Sequence, residues 1–154
     1  MIASANNKPY EGSDSRITWY YPVEDRIDRL YQLLTAKYQF STTYMMQLQT
    51  DTFSKSHYEL YKLLVSHSGK ISQSNQDVLE AIGDWDGYFD KDSRVAYLYH
   101  LVFVALTNNL FELKPHLGGR SVITQSGLMP KFIMSVFENI AEDEQIKLIN
   151  MAMA

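Results

Sequence analysis

The 154-residue sequence has no cysteine, which removes disulfides and thiolate metal sites from consideration and leaves the chain indifferent to redox compartment. It has no basic run either: 14 Lys and Arg are scattered among 18 Asp and Glu, for a net charge of −4. Such a distribution neither grips phosphates nor draws an anionic membrane, so nucleic acid is not an expected partner. The longest apolar stretch, Val95 to Leu106, is interrupted by His100 and falls short of the ~20 residues that span a bilayer. Residues 1–20 lack the charged-then-apolar order of a secretory signal, and the chain reads as soluble, with no membrane partner. The four histidines, His57, His67, His100 and His116, share no metal spacing, and HExxH, a Gly-rich phosphate loop and a GxSxG elbow are all missing. No cofactor and no metal are therefore expected. There is no internal repeat and no low-complexity tract.

What is present is enough apolar material for a core, 45% of residues, and the default is a single helical domain over residues 1–154. Ile2 to Ala5 is a run of small residues suited to a strand that ends before Pro9, so residues 1–9 read as a strand-like segment. Residues 10–22, polar and then aromatic with no period, read as a loop. Ile27, Leu30, Tyr31 and Leu34 follow at helical spacing behind Pro22, Glu24 and Asp25, which predicts an amphipathic helix. Ser41, Thr42 or Thr43 caps a second, of about 25 residues, carrying Met45 through Val65 to a stop at Ser68-Gly69 and kinked at its Thr/Ser-rich middle.

A third helix is signalled by the capping-box spacing of Ser74-Asn75-Gln76-Asp77, with Val78, Leu79, Ile82 and Trp85 in register until Asp86-Gly87 breaks it. From Asp92 or Ser93 a fourth begins, apolar nearly all round, which predicts burial on every side with His100 as a hydrogen-bonded core histidine. Residues 23–113 thus form a helical core and 114–127 a linker marked by Pro115 and Gly118-Gly119. Residues 128–154 add two C-terminal helices: Pro130 leads Phe132, Ile133, Val136, Phe137 and Ile140, and Glu142-Asp143-Glu144 opens the last, with Ile146, Ile149 and Met151. The fold class is all-α, an irregular bundle of about five or six helices with a short N-terminal strand-like segment.

Four motifs stand in register along the chain. They are Ala5-Asn6-Asn7-Lys8-Pro9, Asp25-Arg26-Ile27, Leu48-Gln49-Thr50-Asp51-Thr52-Phe53-Ser54 and Asp84-Trp85-Asp86-Gly87. In order and spacing, from residue 2 to about residue 113, the chain resembles part of the large subunit of the penicillin acylase (penicillin amidase) family. Its members are amidohydrolases with an N-terminal serine nucleophile held in an αββα sandwich.

The resemblance implies that the serine's own α-amine, which titrates near pH 7 to 8, is the general base. It implies Asn6 as a side-chain donor to the oxyanion. It also implies Arg26 as the residue that orients Asn6, since a guanidinium can only donate and must bind the amide oxygen. Read without the family, Asn6-Asn7 is a turn before Pro9 and Arg26 an ordinary helix arginine beside Glu24 or Asp25. Gln49, Asp51 and Ser54 do not share a helix face and read as packing and hydrogen-bonding positions. Trp85, Asp86 and Gly87 read as a structural turn, with Trp85 buried, Asp86 bonding its following backbone and Gly87 at positive φ.

Met1 stands where the family has its serine, and the sandwich is absent. The chain is therefore expected to be a helical fragment, inactive alone, of an enzyme that cleaves an acylated amine, a penicillin or an acyl-homoserine lactone. Its partners would be the rest of that enzyme, namely the small subunit and the sandwich, and a small-molecule amide substrate. Periplasmic residence is implied by the family alone. The rival reading is an independent protein-interaction module built on 11 tyrosines, with Tyr20, Tyr21 and Tyr31 exposed.

Overall fold

The computed structural model of the protein describes residues 25–117 and 129–154. These are helices and turns, and among the described residues there is no strand. The all-α class is as the periodicity predicts. The strand-like segment 1–9, the loop 10–22 and most of the linker lie outside the described residues. The chain divides into two compact units between Phe53 and Ser54.

In the first unit, α1 (Asp25–Thr35) and α2 (Thr42–Gln49) are short. Ile27 is the one buried residue of α1. Ser41 caps α2, its Oγ accepting from the Tyr44 amide at 3.1 Å. The Tyr44 hydroxyl reaches back to donate to the Leu33 carbonyl at 2.7 Å, tying the two helices together.

The second helix stops at Gln49, where a 25-residue helix is expected from the sequence. Residues 50–54 are Thr-Asp-Thr-Phe-Ser, whose β-branched and short polar side chains turn onto local backbone. Thr50 Oγ1 donates to the Met46 and Gln47 carbonyls, both at 3.3 Å, and Asp51 Oδ1 accepts from the Phe53 amide at 3.3 Å. Helical hydrogen bonding is replaced over one turn, so the expected kink is a complete break.

In the second unit, α3 (Lys55–Ser66), α4 (Gln76–Ile82), α5 (Arg94–Leu113), α6 (Met129–Glu138) and α7 (Glu142–Met153) share one core. The closest packing is α5 against α7 and α3 against α6, with α4 also on α5. Leu64, Leu106, Leu110, Ile133, Phe137 and Leu148 meet there, each essentially removed from water. Ser93 begins α5 by accepting from the Ala96 amide at 3.2 Å, as the sequence suggests.

Several expectations are corrected in this unit. The buried residues of α5, among them Ala96, Tyr99, Val102 and Leu106, form one face, while Tyr97 (62% exposed), Leu101 and Val104 lie open. An apolar helix needs a neighbour on each side to be buried all round, and α4 and α7 cover one side. His100 falls on the open face and is exposed.

The capping box at residues 74–77 is not formed. Asn75, 4% exposed, turns instead to Asn150, donating to its carbonyl at 2.8 Å. Helix α4 ends at Ile82, so Trp85 lies beyond it, carried inward by a turn in which its amide donates to the Ile82 carbonyl at 3.1 Å. In α7 the inward positions are Leu148, Ile149 and Met153, and Met151 faces out.

Candidate functional site

Asn6 lies outside the described residues. Arg26 is on the first turn of α1 with its side chain exposed, and among the described residues no hydrogen bond or ion pair engages it. Three positions on, Arg29 occupies the same face. It holds Asp51 in a bidentate pair, Nε to Oδ1 at 3.0 Å and Nη2 to Oδ2 at 2.8 Å. Its Nη1 donates to Gln32 at 3.0 Å, and the guanidinium sits 4.7 Å from the centre of the Phe53 ring. Both side chains of the pair are 16% exposed.

A planar fork matched to a carboxylate in this way gives direction as well as attraction. The pair fixes the stretch just after α2 against α1. The result is a cavity of about 470 Å³ with Arg26, Arg29, Gln49 and Asp51 on its polar side and Leu30, Leu33, Leu48 and Phe53 among its apolar walls. Arg26 is thus brought to one cavity with Gln49 and Asp51. The sequence reading missed Arg29. The signal available was the i, i+3 spacing of two arginines on one helix face, which does not say which of them is held.

In the second unit, Ser54 meets the Trp85-Asp86-Gly87 turn: the Ser54 amide donates to the Gly87 carbonyl at 3.0 Å. Gly87 has φ 91°. Asp86 Oδ1 accepts from the Tyr88 amide at 3.1 Å, closing an Asx turn, and Trp85 Nε1 donates to the Tyr88 carbonyl at 2.9 Å. The Trp85 indole, 3% exposed, stacks on Tyr99 with centroids 4.0 Å apart and meets Tyr61 and Phe89 edge-on.

His57 joins this aromatic group edge-on to Phe89, Tyr99 and Phe103. The Tyr99 hydroxyl donates to the His57 carbonyl at 2.9 Å and lies 3.2 Å from the ring Nδ1. Burial pushes the Tyr99 phenol far above its ordinary range, and Tyr61 is raised as well, first by burial and then by Tyr58 beside it. Both are protonated donors at any working pH. The cluster is a packed, satisfied interior rather than an opening for substrate. Among the described residues there is no group of three potential metal ligands and no helix long and apolar enough to cross a membrane.

The sequence model of the family described as Penicillin amidase matches residues 1–152. The chain belongs to the penicillin amidase family. No curated protein and no solved structure matches it. The penicillin amidase match runs through α6 and most of α7, well beyond residue 113, where the motif resemblance stops. It therefore takes in both the Arg26 cavity and the Trp85 turn.

Proposed function

We propose that the chain is the helical portion of a penicillin amidase-type amidohydrolase, in which Asn6 donates to the oxyanion and Arg26 holds Asn6 in the donating orientation. The observation that carries this reading is the family match over residues 1–152. It is supported by the division of labour between the arginines. Arg29 has its guanidinium committed to Asp51 and Gln32, which leaves Arg26 to bind an amide oxygen.

The nucleophile is supplied by polypeptide outside this sequence: a serine whose hydroxyl proton passes to its own α-amine as Oγ bonds to the substrate's carbonyl carbon. The carbonyl oxygen becomes an oxyanion facing the Asn6 NH₂. Collapse of that intermediate breaks the C–N bond, and the leaving amine takes the proton from the α-ammonium. Water then cleaves the acyl ester by the same route. A carboxamide flipped by 180° would present its oxygen to the oxyanion, so the orienting guanidinium matters as much as the amide. The substrate class is an acylated amine, a penicillin or an acyl-homoserine lactone, and the location, by family, is periplasmic.

Three measurements test the reading. The encoding gene should continue upstream to a serine codon at a self-cleavage junction, and an open reading frame beginning at Met1 would remove the catalytic assignment. In the assembled enzyme, Arg26→Ala should lower kcat about 10-fold or more, because Asn6 is left free to flip. Unchanged kcat would remove Arg26 from the mechanism. Residues 1–154 alone should not hydrolyse phenylacetyl or acyl-lactone reporters.

A further inference from the structure

Apart from the imidazole of His100, helix α5 carries two ionisable side chains of Lys, Arg, Asp or Glu type in its whole length, Arg94 at its first position and Glu112 in its last turn. Eighteen residues make five turns of an α-helix, so the two lie on one line of its surface, about 27 Å apart. Along that line between them come Tyr97, Leu101, Val104 and Asn108, at spacings of three or four residues. This is the open side of the helix. Tyr97, Leu101 and Val104 are 62%, 46% and 40% exposed, Arg94 and Glu112 are exposed at the two ends, and α4 and α7 take the buried side. Such spacing is that of a seam along which one helix packs lengthwise on another.

The two charges are the wrong way round for the helix that carries them. A helix is partly positive at its N-terminal end and partly negative at its C-terminal end, so the dipole of α5 disfavours both Arg94 and Glu112. Among the described residues neither has a hydrogen-bond or ion-pair partner. Neighbouring charges are engaged with one another: Lys91 lies 3.8 Å from Asp92, and Lys114 is paired with Glu144 at 2.7 Å.

A second copy of α5 running antiparallel answers all of these features together. A two-fold axis at the level of Phe103, midway between positions 94 and 112, sets Arg94 of each copy beside Glu112 of the other. Each charge then lies near the end of the neighbouring helix whose dipole favours it. Leu101 and Val104 of both copies gather around the axis, and Tyr97 of each comes beside Asn108 of the other. A parallel arrangement would instead oppose arginine to arginine and glutamate to glutamate.

We propose that the open face of α5 is a homodimer interface, formed by two antiparallel copies of the helix with an apolar centre at Leu101 and Val104 and crossed Arg94–Glu112 pairs at its ends. The interface is separate from the catalytic assignment, because it involves neither Asn6 nor Arg26.

Sedimentation equilibrium of the 154-residue chain tests it: an interface of one helix per copy should take the chain from monomer to dimer between about 1 and 500 μM. Leu101→Glu puts a charge of the same sign on both sides of the axis at a position already open to water. It should raise Kd at least about 10-fold and leave the helical circular dichroism unchanged. Arg94→Glu and Glu112→Arg each set like charges against one another twice per dimer. Either should raise Kd about 10-fold, and the double variant Arg94→Glu/Glu112→Arg should recover most of that loss. A chain that stays monomeric throughout the range leaves the face to another occupant, such as the remaining polypeptide of the enzyme, and overturns the proposal. A dimer that Leu101→Glu does not weaken uses a different surface and overturns it equally. Failure of the double reversal to recover any affinity would contradict the antiparallel pairing.

Discussion

Gly87 shows how much one residue settles. At φ 91° an L side chain is strained, and the turn there also supplies the carbonyl that receives the Ser54 amide. Gly87→Ala should cost about 1–2 kcal/mol, measured as a shift in the denaturant midpoint, and an unchanged midpoint would contradict the account of the turn. Tyr99 gives the pH prediction. Its folded-state phenol is raised by burial, so the neutral form contributes stability that is present below the unfolded-state value near 10 and is lost as pH climbs above it. Thermal stability should fall at strongly alkaline pH, and Tyr99→Phe should flatten that fall while costing about 1 kcal/mol at neutral pH through the lost bond to the His57 carbonyl.

At this scale the sequence was legible where the chemistry is local. Asp86 bonding two residues on and Gly87 taking positive φ require nothing beyond the turn itself. Arg29 and His57 were not legible, because what defines each is a partner 22 or 42 positions away. Asn6 is assigned from family motif alone.

Elements were readable from capping chemistry more reliably than from periodicity. Ser93 before an apolar run marks the start of α5, and its hydroxyl does cap the Ala96 amide. Ser93→Ala should therefore destabilise the chain by about 1 kcal/mol, read by denaturant unfolding, with no change in the slope. Helical period alone carried the second helix straight through residues 50–54. The break there depends on Thr and Asp side chains competing for backbone, which a hydrophobic pattern does not register. The same limit applies to α5, whose apolar circumference states what could be buried and not which neighbours arrive. Residues 74–77 show the converse: the capping spacing is present, but Asn75 finds a better partner in Asn150 across the core.

Taken whole, the chain is a helical penicillin amidase family member with two compact units of different character. The second is a packed body held by Leu64, Leu106, Phe137 and Leu148, with Trp85 and Tyr99 stacked inside it. The first presents an open arginine, a paired arginine and an amphipathic cavity. Sequence motifs pointed to the family because four of them stand in register, which no single motif could do. They did not show that Asp51 is occupied by Arg29, a pair that leaves Arg26, assigned to Asn6 by the family motif, with no hydrogen-bond or ion-pair partner among the described residues.

The central claim is that the carboxamide at position 6 stabilises the charge formed when an amide carbonyl is attacked. The direct measurement is the steady-state kinetics of Asn6→Ala in the assembled, self-processed enzyme. The account predicts a fall in kcat of roughly 10²- to 10³-fold with KM and self-processing little changed. A variant that turns over substrate at the native rate would contradict it.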